Sequence, residues 1–158
     1  MKKILLALAL LACSTFLIAQ QKTGGKGSVN AGLGPEFNMD SRHNFAGGAA
    51  FSFDYGLTND YALGFTVTGS SNFINFNTIE PLILFRRYMQ DKEGSRLFLQ
   101  LDAGVFIIFE DGDVIPMADA GLRGGVRIPF GPHFYLEPYG RLGYPFAFGI
   151  GAMAGIGF

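Results

Sequence analysis

Residues 134–158 read FYLEPYGRLGYPFAFGIGAMAGIGF, and the reading of this stretch decides the fold. Two alternating runs are joined by a short turn. In the last run Phe148, Ile150, Ala152, Ala154, Ile156 and Phe158 share one face, against Ala147, Gly149, Gly151, Met153, Gly155 and Gly157 on the other. A period of two means a strand whose two sides meet different media. The run is expected to be the closing strand of a transmembrane β-barrel.

Working back toward the N-terminus, the same rhythm recurs. Phe134, Leu136, Pro138, Gly140 and Leu142 oppose Tyr135, Glu137, Tyr139, Arg141 and Gly143. Alternating segments are also expected at about 27–37, 45–55, 61–69, 78–88, 97–107 and 118–128. Polar or Gly/Pro-containing stretches separate them at 38–44, 56–60, 70–77, 90–95, 110–113 and 129–133. That makes eight segments of roughly ten residues, the length that crosses a bilayer at about 45° tilt. An even number lets an antiparallel meander close on itself. The expected fold is all-β, an eight-stranded antiparallel up-and-down transmembrane barrel.

Alternation alone also suits a soluble barrel with an apolar interior. The lysines separate the two cases. Lys2, Lys3, Lys22, Lys26 and Lys92 all lie outside the alternating segments, so no lysine-rich hydrated face exists. The polar face carries Gly, Ala, Ser and Thr with charges at intervals, which suits a narrow crowded interior. Aromatic residues near segment ends (Phe37, Tyr55, Tyr61, Phe85, Phe134, Tyr144 and Phe158) match an interfacial girdle. Polar residues are therefore expected inside and apolar residues against lipid.

The inward charges form a set. The acids are Glu36, Asp54, Glu80, Asp102, Asp119 and Glu137; the bases are Arg86, Arg123, Arg127 and Arg141. Unpaired charge is costly in a narrow lumen, so Arg–carboxylate networks are expected. Arg123 and Arg127 should meet Asp102 and Glu137, on the segments flanking theirs. Such pairs either plug the barrel or line an ion path, and the small bore of eight strands favours the plug.

The N-terminus has the features of a secretory signal peptide at residues 1–19. Lys2 and Lys3 precede an apolar run, and cleavage is expected after Ala19. Leu10-Leu11-Ala12-Cys13 offers lipidation at Cys13 as an alternative, against which the apolar run resumes at Phe16–Ala19. Residues 20–26 read as a periplasmic tether and 27–158 as the barrel. A chain cut after Ala19 keeps no cysteine. The full chain has 12 Lys+Arg and 13 Asp+Glu; removing Lys2 and Lys3 leaves 10 against 13, or −3. This balance gives no reason to expect nucleic acid as a partner.

With its signal peptide, eight alternating segments and closing strand, the chain resembles the small eight-stranded outer-membrane barrels of Gram-negative bacteria, the OmpA/OmpX/OmpW class. The resemblance implies residence in the cell outer membrane and contact with its lipid. It also implies that Phe158 and Ile156 form the signal read by the barrel-assembly machinery, and that the termini are periplasmic. Members include anchors, adhesins, pores, hydrophobic-solute channels and a few lipid-modifying enzymes. The short loops weaken an adhesin reading.

The expected function is structural or weakly pore-forming, and not enzymatic. Leu82, Leu84, Phe98 and Phe106, all inward, motivate the runner-up, a passive path for small hydrophobic solutes. A lipid-modifying enzyme is a distant third, resting on His43 near Asp40 and Ser41; His133 lies on the opposite rim. Glu110, Asp111 and Asp113 lack the ligand order of a calcium loop, and the glycines form no phosphate-cradling motif. No cofactor or metal is expected.

Overall fold

The computed structural model describes residues 25–40, 45–74, 76–90, 94–110 and 113–158. The signal segment with Cys13, the loop holding Ser41 and His43, and the turn with Lys92 lie outside the described residues. Within them the chain forms β1 (Val29–Asp40), β2 (Phe45–Gly56), β3 (Tyr61–Ser71), β4 (Phe76–Gln90), β5 (Arg96–Glu110), β6 (Asp113–Phe130), β7 (Phe134–Tyr144) and β8 (Phe146–Gly157). Each strand pairs antiparallel with the next, and β8 pairs with β1 to close the barrel. The seam is sealed where Val29 and Phe158 exchange backbone hydrogen bonds of 2.9 and 2.8 Å. Within the closed belt the strands have no free edge, as a barrel in lipid requires, while residues 113–119 of β6 extend past the end of β7.

Several strands run further than their sequence pattern suggested. β1 continues through Asn38, which is buried, so the expected loop at 38–44 starts later. Of the acidic stretch expected as a loop, Glu110 and Asp113 belong to β5 and β6 and pair with each other, while residues 111 and 112 lie outside the described residues. β5 and β6 thereby reach 15 and 18 residues. Inward Phe106 and Ile108 and outward Phe109 and Val114 carry the alternation into the tip.

One facing differs from expectation. Ala147 was expected inward but is exposed. Met39 pairs with Phe148 and Asp40 with Phe146, so Ala147 is an extra residue in β8. This β-bulge puts two consecutive residues on the outside and turns Phe146 into the barrel, where it is 2% exposed.

Elsewhere the faces sort cleanly. Leu33, Phe37, Ile83, Leu101 and Leu142 each expose more than half of their surface on the outside. Large apolar residues exposed around the whole circumference are unfavourable in water and suited to lipid. Phe37, Tyr55, Tyr61, Phe85, Phe134 and Tyr144 are all exposed toward strand ends. Tyr61 stacks on Phe85 at 5.7 Å and Phe130 on Phe134 at 6.0 Å. The near rim carries Val29 and Phe158, the turns at 57–60 and 131–133, and the ends of β4 and β5 at Gln90 and Arg96. The far rim carries the opposite strand ends, at Asp40, Phe45, Ser71, Phe76, Glu110, Asp113, Tyr144 and Phe146.

Candidate functional site

The interior is where the chain places its chemistry. Odd and even positions alternate between lipid and lumen, so residues four apart on β6 (Asp119, Arg123, Arg127) project into the bore at successive heights. Glu36, Asp54, Glu80, Arg86, Asp102, Asp119, Arg123, Arg127, Glu137 and Arg141 are all buried, none more than 5% exposed. They resolve into two groups.

The near-rim group joins Asp54, Arg86, Arg127 and Glu137. Arg86 Nη1 donates to Glu137 Oε1 at 2.9 Å and Oε2 at 3.1 Å, and approaches Asp54 at 3.5 Å. Arg127 donates from Nε to the same Glu137 oxygen and from Nη2 to Asp54 at 3.1 Å. Two acids meet two bases, and the group is neutral. Aromatic rings fill the space around it. Phe98 lies 4.3 Å from the Arg86 guanidinium carbon, and Tyr135 lies 4.0 Å from that of Arg127. A guanidinium over a ring face gains cation–π energy where water is excluded.

The far-rim group joins Glu36, Glu80, Asp102, Asp119, Arg123 and Arg141. Glu36 is its hub. It accepts from Arg123 at 2.8 Å, Arg141 at 2.9 Å, Tyr139 Oη at 2.6 Å and Asn38 Nδ2 at 2.9 Å. Arg123 Nε also donates to Asp102 at 2.9 Å. Arg141 Nη2 lies 2.6 Å from Glu80 and 3.6 Å from Asp119. Four acids share two bases here.

Gln100 couples the groups. It accepts from Arg86 Nε at 2.8 Å and Nη2 at 2.6 Å, and donates to Asp102 at 2.6 Å. The list of charged residues read from sequence omitted Gln100, Asn38, Tyr139 and Asn30, which donates to Asp54 at 2.8 Å. Their signal was present: each sits in the same alternating phase as the charges.

Apolar packing occupies the rest. Leu82, Leu84, Phe98 and Phe106 are buried. Phe106 meets Phe146 edge-on at 5.2 Å, with Phe76, Ile108 and Met117 against the pair near the far rim. Tyr135 and Tyr139 fit because Gly155 and Gly151 lie opposite them on β8. A Cβ on Gly155 would stand 2.2 Å from Tyr135 Cζ, and one on Gly151 2.5 Å from Tyr139 Cζ.

His133 holds the near rim. Its Nδ1 lies 3.2 Å from the Gly157 carbonyl, and its backbone carbonyl accepts from Gly157 N at 2.7 Å. No cluster of three metal-ligating side chains occurs among the described residues.

No family model matches the chain, and no curated protein matches it either. Solved structures do. The N-terminal β-barrel domain of Pseudomonas aeruginosa OprF superposes with a TM-score of 0.65 at 17% identity, covering 85% of this chain and 99% of that one. The outer membrane protein OprG of Pseudomonas aeruginosa gives 0.69 at 8% identity, over 88% and 99%. Neisserial surface protein A gives 0.61 at 16% identity, over 82% and 94%. The chain has the closed eight-stranded antiparallel fold of the small Gram-negative outer-membrane β-barrels.

Proposed function

We propose that this protein is an integral outer-membrane barrel with a structural role, and that its interior is a plug and not a path. The observation that carries this reading is the interior itself. Ten charged side chains are buried and linked across the bore, aromatic rings face their guanidinium groups, and the Phe106–Phe146 pair packs beyond them toward the far rim. A guanidinium held by two carboxylates and faced by a ring is not free to hydrate a passing ion. Leu82, Leu84, Phe98 and Phe106, which suggested a path for hydrophobic solutes, are packed within this interior. The reading is non-enzymatic: the described residues bring together no nucleophile, base and acid in the order that group transfer needs.

Planar lipid bilayers test it. The refolded mature barrel is expected to give no stable conductance steps and no retention of a hydrophobic probe. Reproducible open-channel steps would refute the plug. A lipid-modifying role is tested apart, by His43→Ala: an altered lipid profile in cells carrying that variant would revive it.

The same reading makes outer-membrane lipid the partner of the outer face and gives Phe158 and Ile156 to the barrel-assembly machinery. Phe158→Ala is then expected to slow assembly in cells more than refolding of the purified chain.

A further inference from the structure

Charge is not evenly matched inside the barrel. The near-rim group balances, but the far-rim group holds four acids against two arginines, a formal excess of −2. Glu36 is fully served by its four donors, and Asp102 has Arg123 and Gln100. The excess therefore falls on Glu80 and Asp119. Both are buried, at 0% and 3% exposure. Both lean on one nitrogen, Arg141 Nη2, which approaches Glu80 to 2.6 Å and Asp119 to 3.6 Å as ion pairs without hydrogen-bond geometry. All four of their carboxyl oxygens lack a hydrogen-bond donor. The two groups converge from β4 and β6 on that same nitrogen.

Two buried carboxylates that converge on one shared cation are disfavoured as two full charges, and a proton on one of them removes the excess. We propose that Glu80 and Asp119 form a proton-binding site in the far half of the barrel, holding one shared proton while the barrel is folded. The groups facing it are known from each neighbouring element. Arg141 faces it from β7 and is shared with Glu36 of β1, while Asp102 of β5 and Arg123 of β6, the next inward side chains along those strands, are paired with each other. The inward neighbours on β3, Thr68 and Ser70, do not titrate. Of these groups only Arg141 touches the pair, so neutralising the excess falls to the proton. A metal ion is less suited, since the Arg141 guanidinium already occupies the space the two carboxyl groups converge on.

The site makes the far half pH-sensitive. In the unfolded chain at neutral pH both carboxyl groups are ionised. The folded state then binds one more proton than the unfolded state, and stability falls as pH rises through the range where the pair loses that proton. Loss of the proton sets two negative charges against each other beside Glu36 and Asp102 and loosens the packing around Arg141. The inference rests on the dry interior proposed above, yet the two fail differently. An open lumen would reveal itself as conductance, and an absent proton as a missing carbonyl signal.

Infrared spectroscopy of the full mature barrel, folded in detergent, provides the test. The carbonyl stretch of a protonated carboxyl group is expected at neutral pH and should disappear on alkaline titration. Glu80→Gln and Asp119→Asn, each able to donate to the remaining carboxylate, should abolish the band while keeping the heat-dependent gel mobility of a folded barrel. Their unfolding temperatures should lose the alkaline decline of the parent. The proposal is overturned if the parent shows no such band, if the band survives in both variants, or if their alkaline decline matches the parent's. An absent band together with one tightly bound metal ion per chain, found by elemental analysis, would overturn it in favour of a cation site. Should one variant fail to fold, the other and the parent titration decide.

Discussion

Tyr135 fills the lumen only because Gly155, opposite it on β8, has no side chain. Gly155→Ala is expected to destabilise the folded barrel by about 1–3 kcal/mol through overpacking. Gly124→Ala, where an added Cβ meets nothing within 4 Å, should stay within about 0.5 kcal/mol. Urea unfolding in lipid vesicles distinguishes the two. Glu137 makes a stronger case, because one carboxylate serves both Arg86 and Arg127. Glu137→Gln leaves two buried guanidinium groups with Asp54 as their one carboxylate and should cost about 3–5 kcal/mol. The same unfolding experiment checks it, with exposed Asp113→Asn near zero. What could be read from sequence at this scale was which side chains point inward, since alternation alone decides that. Pairing was legible only as a set between adjacent strands, Arg123 and Arg127 with Glu137 and Asp102; the structure assigns Arg123 to Asp102 and Arg127 to Glu137. The bond from Arg123 to Glu36 spans 87 positions and crosses the bore. It exists because the barrel closes, which no local pattern encodes.

The bulge in β8 shows what strand patterns hide. Ala147 and Phe148 are both apolar, so nothing in their chemistry marks the point where the alternation slips. The slip is visible only against β1, where Asp40 meets Phe146 and Ala147 is left over. Deletion of Ala147 should therefore be tolerated. It removes the extra residue, leaves Phe146 inward and Phe148 outward, and restores one continuous register with β1. Deletion of Ala152 should abolish folding, because it shifts part of β8 by one residue and sends Met153 to lipid and Ala154 to the lumen. Heat-dependent gel mobility separates the pair: a folded band is expected for the first and none for the second. Strand ends were misread for a related reason. Glu110 and Asp113 look like loop residues by composition, yet facing each other they simply cap a long hairpin.

At the scale of the molecule, polarity is inverted relative to a soluble barrel: charges fill the centre and leucines coat the outside. This was the most legible property of the sequence, because it depends on where lysine is absent and not on any one contact. It also makes the sharpest demand on the surroundings. Leu101 lies near the middle of the outward face, 54% exposed and flanked by Phe85 and Leu122 on the neighbouring strands. Tyr55 lies on the same outer face at the near rim, 46% exposed. In lipid, Leu101→Arg should cost about 2–4 kcal/mol, since the guanidinium would sit near the bilayer midplane, whereas Tyr55→Arg at the interface should cost about 0–1 kcal/mol. In water the depth along the strand would not matter, and both changes would be neutral or favourable. Equilibrium unfolding of the two variants in phospholipid vesicles measures the difference. A cost at Leu101 no larger than at Tyr55 would mean that the outer face does not meet a bilayer.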